Sequence, residues 1–183
     1  SSPAPIYVVV EGDVVSEGGK EAVREVIGVL GQDERVTVVI SDLWSTLDST
    51  RGSDSELSSL MLSVESGEDG SWSDLREWLT GTDAGRDVSS GLLSGDGQQT
   101  LVSFQAATLD WSDTNSFESE LSSMLSASVS ESGFTADLSG RSLILAQITS
   151  DVAEAAVLST VIVAGVILLM LVTGLAVRKT RDS

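Results

Sequence analysis

The stretch "PIYVVVEGDVVSEGGKEAVREVIGVLGQDERVTVVISDL", residues 5–43, decides the fold. It opens on an apolar, β-branched run, Ile6 to Val10, closed by Gly12-Asp13. Such a run, bounded by a turn signal, predicts a strand buried on both faces. In "GGKEAVREVIGVLGQD" the residues Val23, Val26, Ile27 and Leu30 recur at i, i+3, i+4 and i+7. That spacing predicts an amphipathic helix, with Gly31 as its stop. "RVTVVISDL", 35–43, predicts a second strand, so the chain begins β-α-β.

Residues 44–99 break the pattern with a region rich in Ser, Gly and Asp. "SELSSLMLSV" carries Leu57, Leu60, Met61 and Val64 at helical spacing. "SWSDLREWLTG" does the same with Trp72, Leu75, Trp78 and Leu79; Ser71 or Ser73 is the expected cap and Gly81 the expected end. These predict short helices without a continuous core of their own. Past the Gly95-Asp96-Gly97 turn, "QTLVSFQAATL" predicts a third strand over about 99–107. In "SDTNSFESELSSMLSASV" the residues Phe117, Leu121, Met124, Leu125 and Ser128 share a helical face, with Asp113 or Thr114 as cap and Glu118 and Glu120 in the first turns. "GFTADLSG", 133–140, predicts a fourth strand. The order β-α-β, insert, β-α-β is that of an α+β, ferredoxin-like split β-α-β domain. It spans 1–140 with a helical insert at about 44–99.

A different kind of segment follows. "RSLILAQITSDVAEAA" predicts a juxtamembrane helix over 141–154 that runs without a Pro or Gly linker into "AAVLSTVIVAGVILLMLVTGLAVRKTR". From Ala155 through Val157 to Val177 no residue is charged, and Gly165 and Gly174 inside the run are tolerated in membrane helices. At ~1.5 Å per residue this run covers a hydrocarbon core of ~30 Å, which predicts one transmembrane α-helix over 155–177. Arg178, Lys179 and Arg181 crowd its C-terminal side. The positive-inside rule puts the tail 178–183 in the cytoplasm and residues 1–154 outside it, at a plasma membrane.

The chain carries 28 acidic against 10 basic residues, a formal charge of -18, with two lysines against eight arginines. The acids are scattered, which fits a surface adapted to strong salt, where self-repulsion is screened. A field of this sign repels phosphates, so nucleic acid is disfavoured as a partner. There is no Cys and no His, which excludes disulfides, thiolate zinc sites, Cys nucleophiles and a Ser-His-Asp triad.

The candidate chemistry is thin. "SGEDGSWSD" and "SDTNSFESE" are dense in oxygen ligands but lack calcium-loop spacing, and "GDGQQ" has no G-K-[ST] to make a phosphate loop. Asp42, Asp48 and Asp54 can be drawn as paired carboxylates, yet no nucleophile or electrophile accompanies them, and surface acids fit better. Trp44, Trp72, Trp78 and Trp111 suit either a stacking surface or helix packing, with packing favoured. Arg141 fits a cap or a pair with Asp137. These residues support no enzyme, no cofactor and no metal site.

"PIYVVVEGDV", "SGDGQQTLVSFQAA" and "LSGRSLILAQI" leading into the span together resemble the large extracytoplasmic loop of the resistance-nodulation-division superfamily, in its MMPL-type exporter branch. The resemblance covers almost the whole chain. It implies a porter domain of a proton- or ion-driven efflux pump for lipids or hydrophobic and amphiphilic compounds. The implied partners are membrane lipid, the remaining membrane helices of the same transporter and a further copy in a homo-oligomer. The run 155–177 has no ionisable residue, so this piece cannot carry a proton relay. No residue is singled out as a substrate contact. The competing expectation is a single-pass, membrane-anchored ligand-binding or sensor module.

Overall fold

The structure is a computed structural model that describes residues 5–107, 109 and 111–139. All of them belong to one compact unit, Ser1–Arg141. In chain order the described elements are β1 (Ile6–Glu11), α1 (Glu17–Gln32), β2 (Val36–Ser41), α2 (Leu43–Thr50), α3 (Ser55–Glu65), α4 (Ser71–Gly81), α5 (Asp83–Ser89), β3 (Gln99–Ala106), α6 (Trp111–Val129) and β4 (Thr135–Ser139). The sheet runs β2-β3-β1-β4 with every neighbouring pair antiparallel. Strand β3 therefore lies between β1 and β2, and β1 lies between β3 and β4. The two β-α-β units interlock, each crossing over a strand of the other.

The expected fold class, a ferredoxin-like split β-α-β domain trailed by one transmembrane helix, is corrected here. The described chain is α+β, with a four-stranded antiparallel sheet and six helices. Among the described residues no helix is long and apolar enough to cross a membrane. The residues on which the span rested, Ala155, Val157, Gly165, Gly174 and Val177, lie outside the described residues, as do Arg141 and the flank Arg178, Lys179 and Arg181.

Strand β1 corrects a second expectation. Ile6, Val8 and Val10 are buried, Tyr7 and Val9 are half-buried and Glu11 is exposed. The strand is thus covered on one face, as in an antiparallel sheet with its helices on one side. The apolar run hid this alternation because Tyr7 and Val9 are themselves hydrophobic. On the covered side α1 packs against α6. Val23, Val26 and Leu30 of α1 and Phe117, Leu121 and Leu125 of α6 join Val8, Val10, Val102 and Phe104 of the sheet in one core. Met124, expected on the buried face of α6, is 41% exposed.

The insert shares that core. Leu43, Trp44 and Leu47 of α2, Leu57 and Met61 of α3, and Leu75, Trp78 and Leu79 of α4 belong to the same cluster as the sheet residues. These are short helices, each presenting two or three buried apolar side chains to the shared core. Together those faces pack into the core that the sheet also lines. Arg76 of α4 ties the insert down through an ion pair with Asp13 and a bond to the Val15 carbonyl at 3.1 Å.

Helix boundaries follow caps that sequence spacing placed a few residues away. Helix α1 passes through Gly31 to Gln32 and is capped at its start by Ser16, whose hydroxyl accepts from the Gly19 N–H. Strand β2 stops at Ser41 because Asp42 turns the chain, accepting from the N–H groups of Trp44 and Ser45 to open α2. Gly70 stands at the N-cap of α4, so Ser71 is its first residue rather than its cap. Asp113 and Thr114 fall inside α6, which starts at Trp111.

At the corner between α1 and β2, Arg35 grips Asp33 through two bonds of 2.9 and 2.8 Å and reaches Glu120 of α6 at 2.8 Å. Its guanidinium carbon lies 4.8 Å from the Phe117 ring centroid. The Arg35 side-chain bond holds the Asp33 carboxyl below the usual carboxylate range. A carboxyl with a depressed folded pKa stabilises above its unfolded value, near ~3.9, and stops doing so as pH falls through the folded value. Thermal melts of Asp33→Asn at neutral pH are expected to show a loss of about 1 kcal/mol, and the gap to wild type closes in strong acid. A gap that persists unchanged below the folded pKa of Asp33 removes this ion pair as its source.

Helices α4 and α5 meet so closely that a Cβ on Gly85 would overlap the Trp78 carbonyl, whereas a Cβ on Gly81 meets only Glu77 Cγ at 3.8 Å. Gly85→Ala is expected to cost about 1–3 kcal/mol by overpacking. Gly81→Ala at a compatible position should be neutral or slightly stabilising. Denaturant titration of the two variants checks the pair.

Candidate functional site

The uncovered face of the sheet holds the site. Register puts Tyr7, Val9 and Glu11 of β1 beside Ser103, Leu101 and Gln99 of β3, and beside Ser139, Asp137 and Thr135 of β4. Val38 and Ile40 of β2 are 48% and 49% exposed. An apolar strip therefore crosses this face.

One wall is built by the chain between α5 and β3. Strand β2 pairs with β3 only from Ser103 to Ala106, which leaves the edge of β3 free further on. Gly91, at φ 72, turns the chain back after α5 into a conformation that favours glycine. Residues 92–94 then take the vacant edge. The Leu101 N–H donates to the Leu92 carbonyl at 3.0 Å, the Thr100 hydroxyl donates to the same oxygen at 2.7 Å, and the Ser94 N–H donates to the Gln99 carbonyl at 2.9 Å.

Two adjoining grooves result, of about 420 Å³ and about 240 Å³. They share Gly91, Leu92 and Leu101. The larger adds Tyr7, Ile40, Ser41 and Ser103; the smaller adds Val9, Leu93 and Gln99. No lining residue of either groove carries a charge, in a chain of formal charge -18. At one end Ser41 and Ser103 share a hydroxyl–hydroxyl bond of 2.7 Å.

The charged groups are engaged elsewhere or stand at the margin. Arg24, Arg35, Arg51, Arg76 and Arg86 each form an ion pair with an acid. The Lys20 ammonium sits 5.6 Å over the Trp44 ring. On the open face Asp137 stands opposite Val9, and Glu11 accepts a bond from the Gln99 amide. The site can therefore hold an uncharged, largely apolar molecule by contact and by hydroxyl bonds. A third groove, of about 680 Å³ between Val29 and Met124, is bordered by Asp33 and Arg35, whose charges are spent on each other.

The three aspartates drawn as a carboxylate set are not brought together for chemistry. Asp42 is 3% exposed and caps α2, Asp54 caps α3, and Asp48 faces Arg51. Trp44 and Trp78 are buried, and Trp44 meets Trp72 edge to face at 5.8 Å between centroids, which is packing. The Trp111 side chain lies outside the description. The two oxygen-rich stretches stay apart, in the α3–α4 turn with the start of α4 and in the first half of α6. Among the described residues no three acids gather at metal-binding spacing.

The groove was not foreseen from sequence. Its signal is "SGLLSGDG", where two leucines precede a turn without helical spacing, and the Tyr7–Val9 alternation inside the β1 run. Comparison with known protein families, curated proteins and solved structures finds no match to this chain.

Because Asp42 is a cap, Asp42→Ala should lower stability by about 1–2 kcal/mol in denaturant titration. Asp48→Ala, losing only a surface pair, should change it by under about 0.5 kcal/mol. Equal effects would show that the carboxylates act in some other way.

Proposed function

We propose that the chain is part of a membrane exporter of the resistance-nodulation-division kind, in which the described domain forms a stretch of the substrate path outside the cytoplasm. The observation that carries this reading is the uncharged groove on the open sheet face of a strongly acidic domain. A protein with so many acids that keeps one concave surface free of charge has a use for apolar contact there. The interlocked β-α-β order is in keeping with a porter domain. The charge-free run 155–177, with Arg178, Lys179 and Arg181 after it, is in keeping with attachment to a plasma membrane.

In this reading lipids or hydrophobic and amphiphilic compounds pass along the groove, and the domain carries no catalytic step. The energy source and the relay residues belong to other parts of the transporter. Further membrane segments of the same protein, membrane lipid and a second copy are its partners.

Cells that make the full-length protein should retain severalfold less of a lipophilic dye than the same cells lacking it. Leu101→Asp places a charge in both grooves and should restore retention to the level of the deletion, with the variant still in the membrane fraction. Unchanged dye retention on deletion, in a native reading frame without further apolar runs, replaces the exporter with a membrane-anchored ligand-binding or sensor module.

A further inference from the structure

We infer that the groove selects neutral amphiphiles, with an uncharged hydrogen-bonding head at the Ser41–Ser103 pair and an apolar chain running toward Val9 and Leu93. The inference rests on the groove as substrate path and adds the chemistry of the head group.

The two ends of the groove differ. The larger part ends on hydroxyls, with Ser41 and Ser103 bonded to each other at 2.7 Å and Tyr7 and Ser90 beside them. In this pair one hydrogen serves the shared bond and the Ser103 hydroxyl also reaches the Ser41 carbonyl, at a long 3.5 Å, so spare lone pairs remain for a ligand, and a hydrogen as well when a ligand oxygen replaces that long bond. Ser103 is 5% exposed, so its hydroxyl sits at the floor rather than in bulk water. The smaller part is walled by the apolar Val9, Leu92, Leu93 and Leu101 together with Ser94 and Gln99, whose hydroxyl and amide N–H are bonded to Asp96 and Glu11.

Charge decides the class of head. A carboxylate or ammonium brought to the hydroxyl pair would leave water with no counter-charge in either lining, a costly transfer. An anion meets a further obstacle: Asp137 stands opposite Val9, Glu11 opposite Gln99, and the arginines of the described residues are all paired with acids. A cation gains little in return from those exposed carboxylates. In molar salt the screening length is only ~3 Å. An alcohol or ester head bonds to the hydroxyls without that cost.

The test uses the full chain in neutral phosphatidylcholine vesicles at molar salt. Three diazirine probes share one medium-length alkyl chain and end in an alcohol, a carboxylate or a quaternary ammonium. Peptide mapping after photolysis reads labelling at 90–103, and the amount of each probe recovered with the vesicle lipid serves as the control for partition. The alcohol is expected to label 90–103 roughly tenfold more than either charged probe, relative to that control. Ser103→Val and Ser41→Ala should each cut alcohol labelling of 90–103 severalfold and leave probe partition unchanged. Equal labelling by the three probes, or alcohol labelling indifferent to both serine variants, overturns the inference. Head-group selectivity that persists when deletion leaves dye retention unchanged removes the exporter and keeps the neutral-ligand groove. Dye export that depends on the protein, with no selectivity at 90–103, does the reverse.

Discussion

Strand β1 is the element on which the rest of the domain depends. It alone is hydrogen-bonded to both β3 and β4, and so joins the two β-α-β units into one sheet. Its residues Ile6, Val8 and Val10 face the helices, and their partners across the strand, Phe104, Val102 and Ala136, face the same way. A slip of one residue would send this set to the open face and bring Tyr7, Val9 and Glu11 inward. Glu11 has no partner in the core, so the slipped register is excluded by its charge. The same alternation that buries Val8 and Val10 leaves Tyr7 and Val9 to line the groove. Fold and site are thus two sides of one strand.

Much of the element order was legible because it rests on local signals. Val23, Val26 and Leu30 at helical spacing, and the β-branched runs of β1 and β2, lie where the structure has α1, β1 and β2. Boundaries were less legible because caps decide them through side-chain bonds that spacing does not reveal. Asp42 reads as the tail of a strand, yet two N–H groups bonded to its carboxylate make it the start of a helix. The groove was illegible for a different reason. It arises where β2 stops short and residues 92–94 take its place beside β3, a contact between segments that no periodicity announces. The span expected over 155–177 lies beyond the described residues, so that part of the sequence stands on its own pattern.

The acidic composition shapes how the domain uses its few cations. Six basic residues lie among those described, and five of them are arginines that bridge to acids. Three of these bridges join separate elements: Arg35 reaches Glu120 of α6, Arg51 reaches Glu65 of α3, and Arg76 reaches Asp13 before α1. Arginine suits this work because its planar fork binds two acceptors at once, as Arg35 does with Asp33. In strong salt such pairs lose most of their long-range attraction, but the bonds of Arg35 and Arg76 hold partly buried geometry that screening affects less.

The same logic explains why an acidic protein would keep a groove without charge. Carboxylates spread over the surface bind water and hold the protein in solution when salt competes for hydration. A surface so hydrated offers little to an apolar molecule, since displacing water from carboxylates costs more than the contact returns. Apolar recognition on such a protein has to be segregated into a concave patch whose walls exclude acids. Leu92 and Leu93 achieve this locally: by occupying the edge of β3 they put aliphatic side chains where solvent-exposed acids are common elsewhere in the chain. Asp137 and Glu11 on the neighbouring strand positions, and Asp96 bonded to Ser94, stand beside the strip without lining the groove.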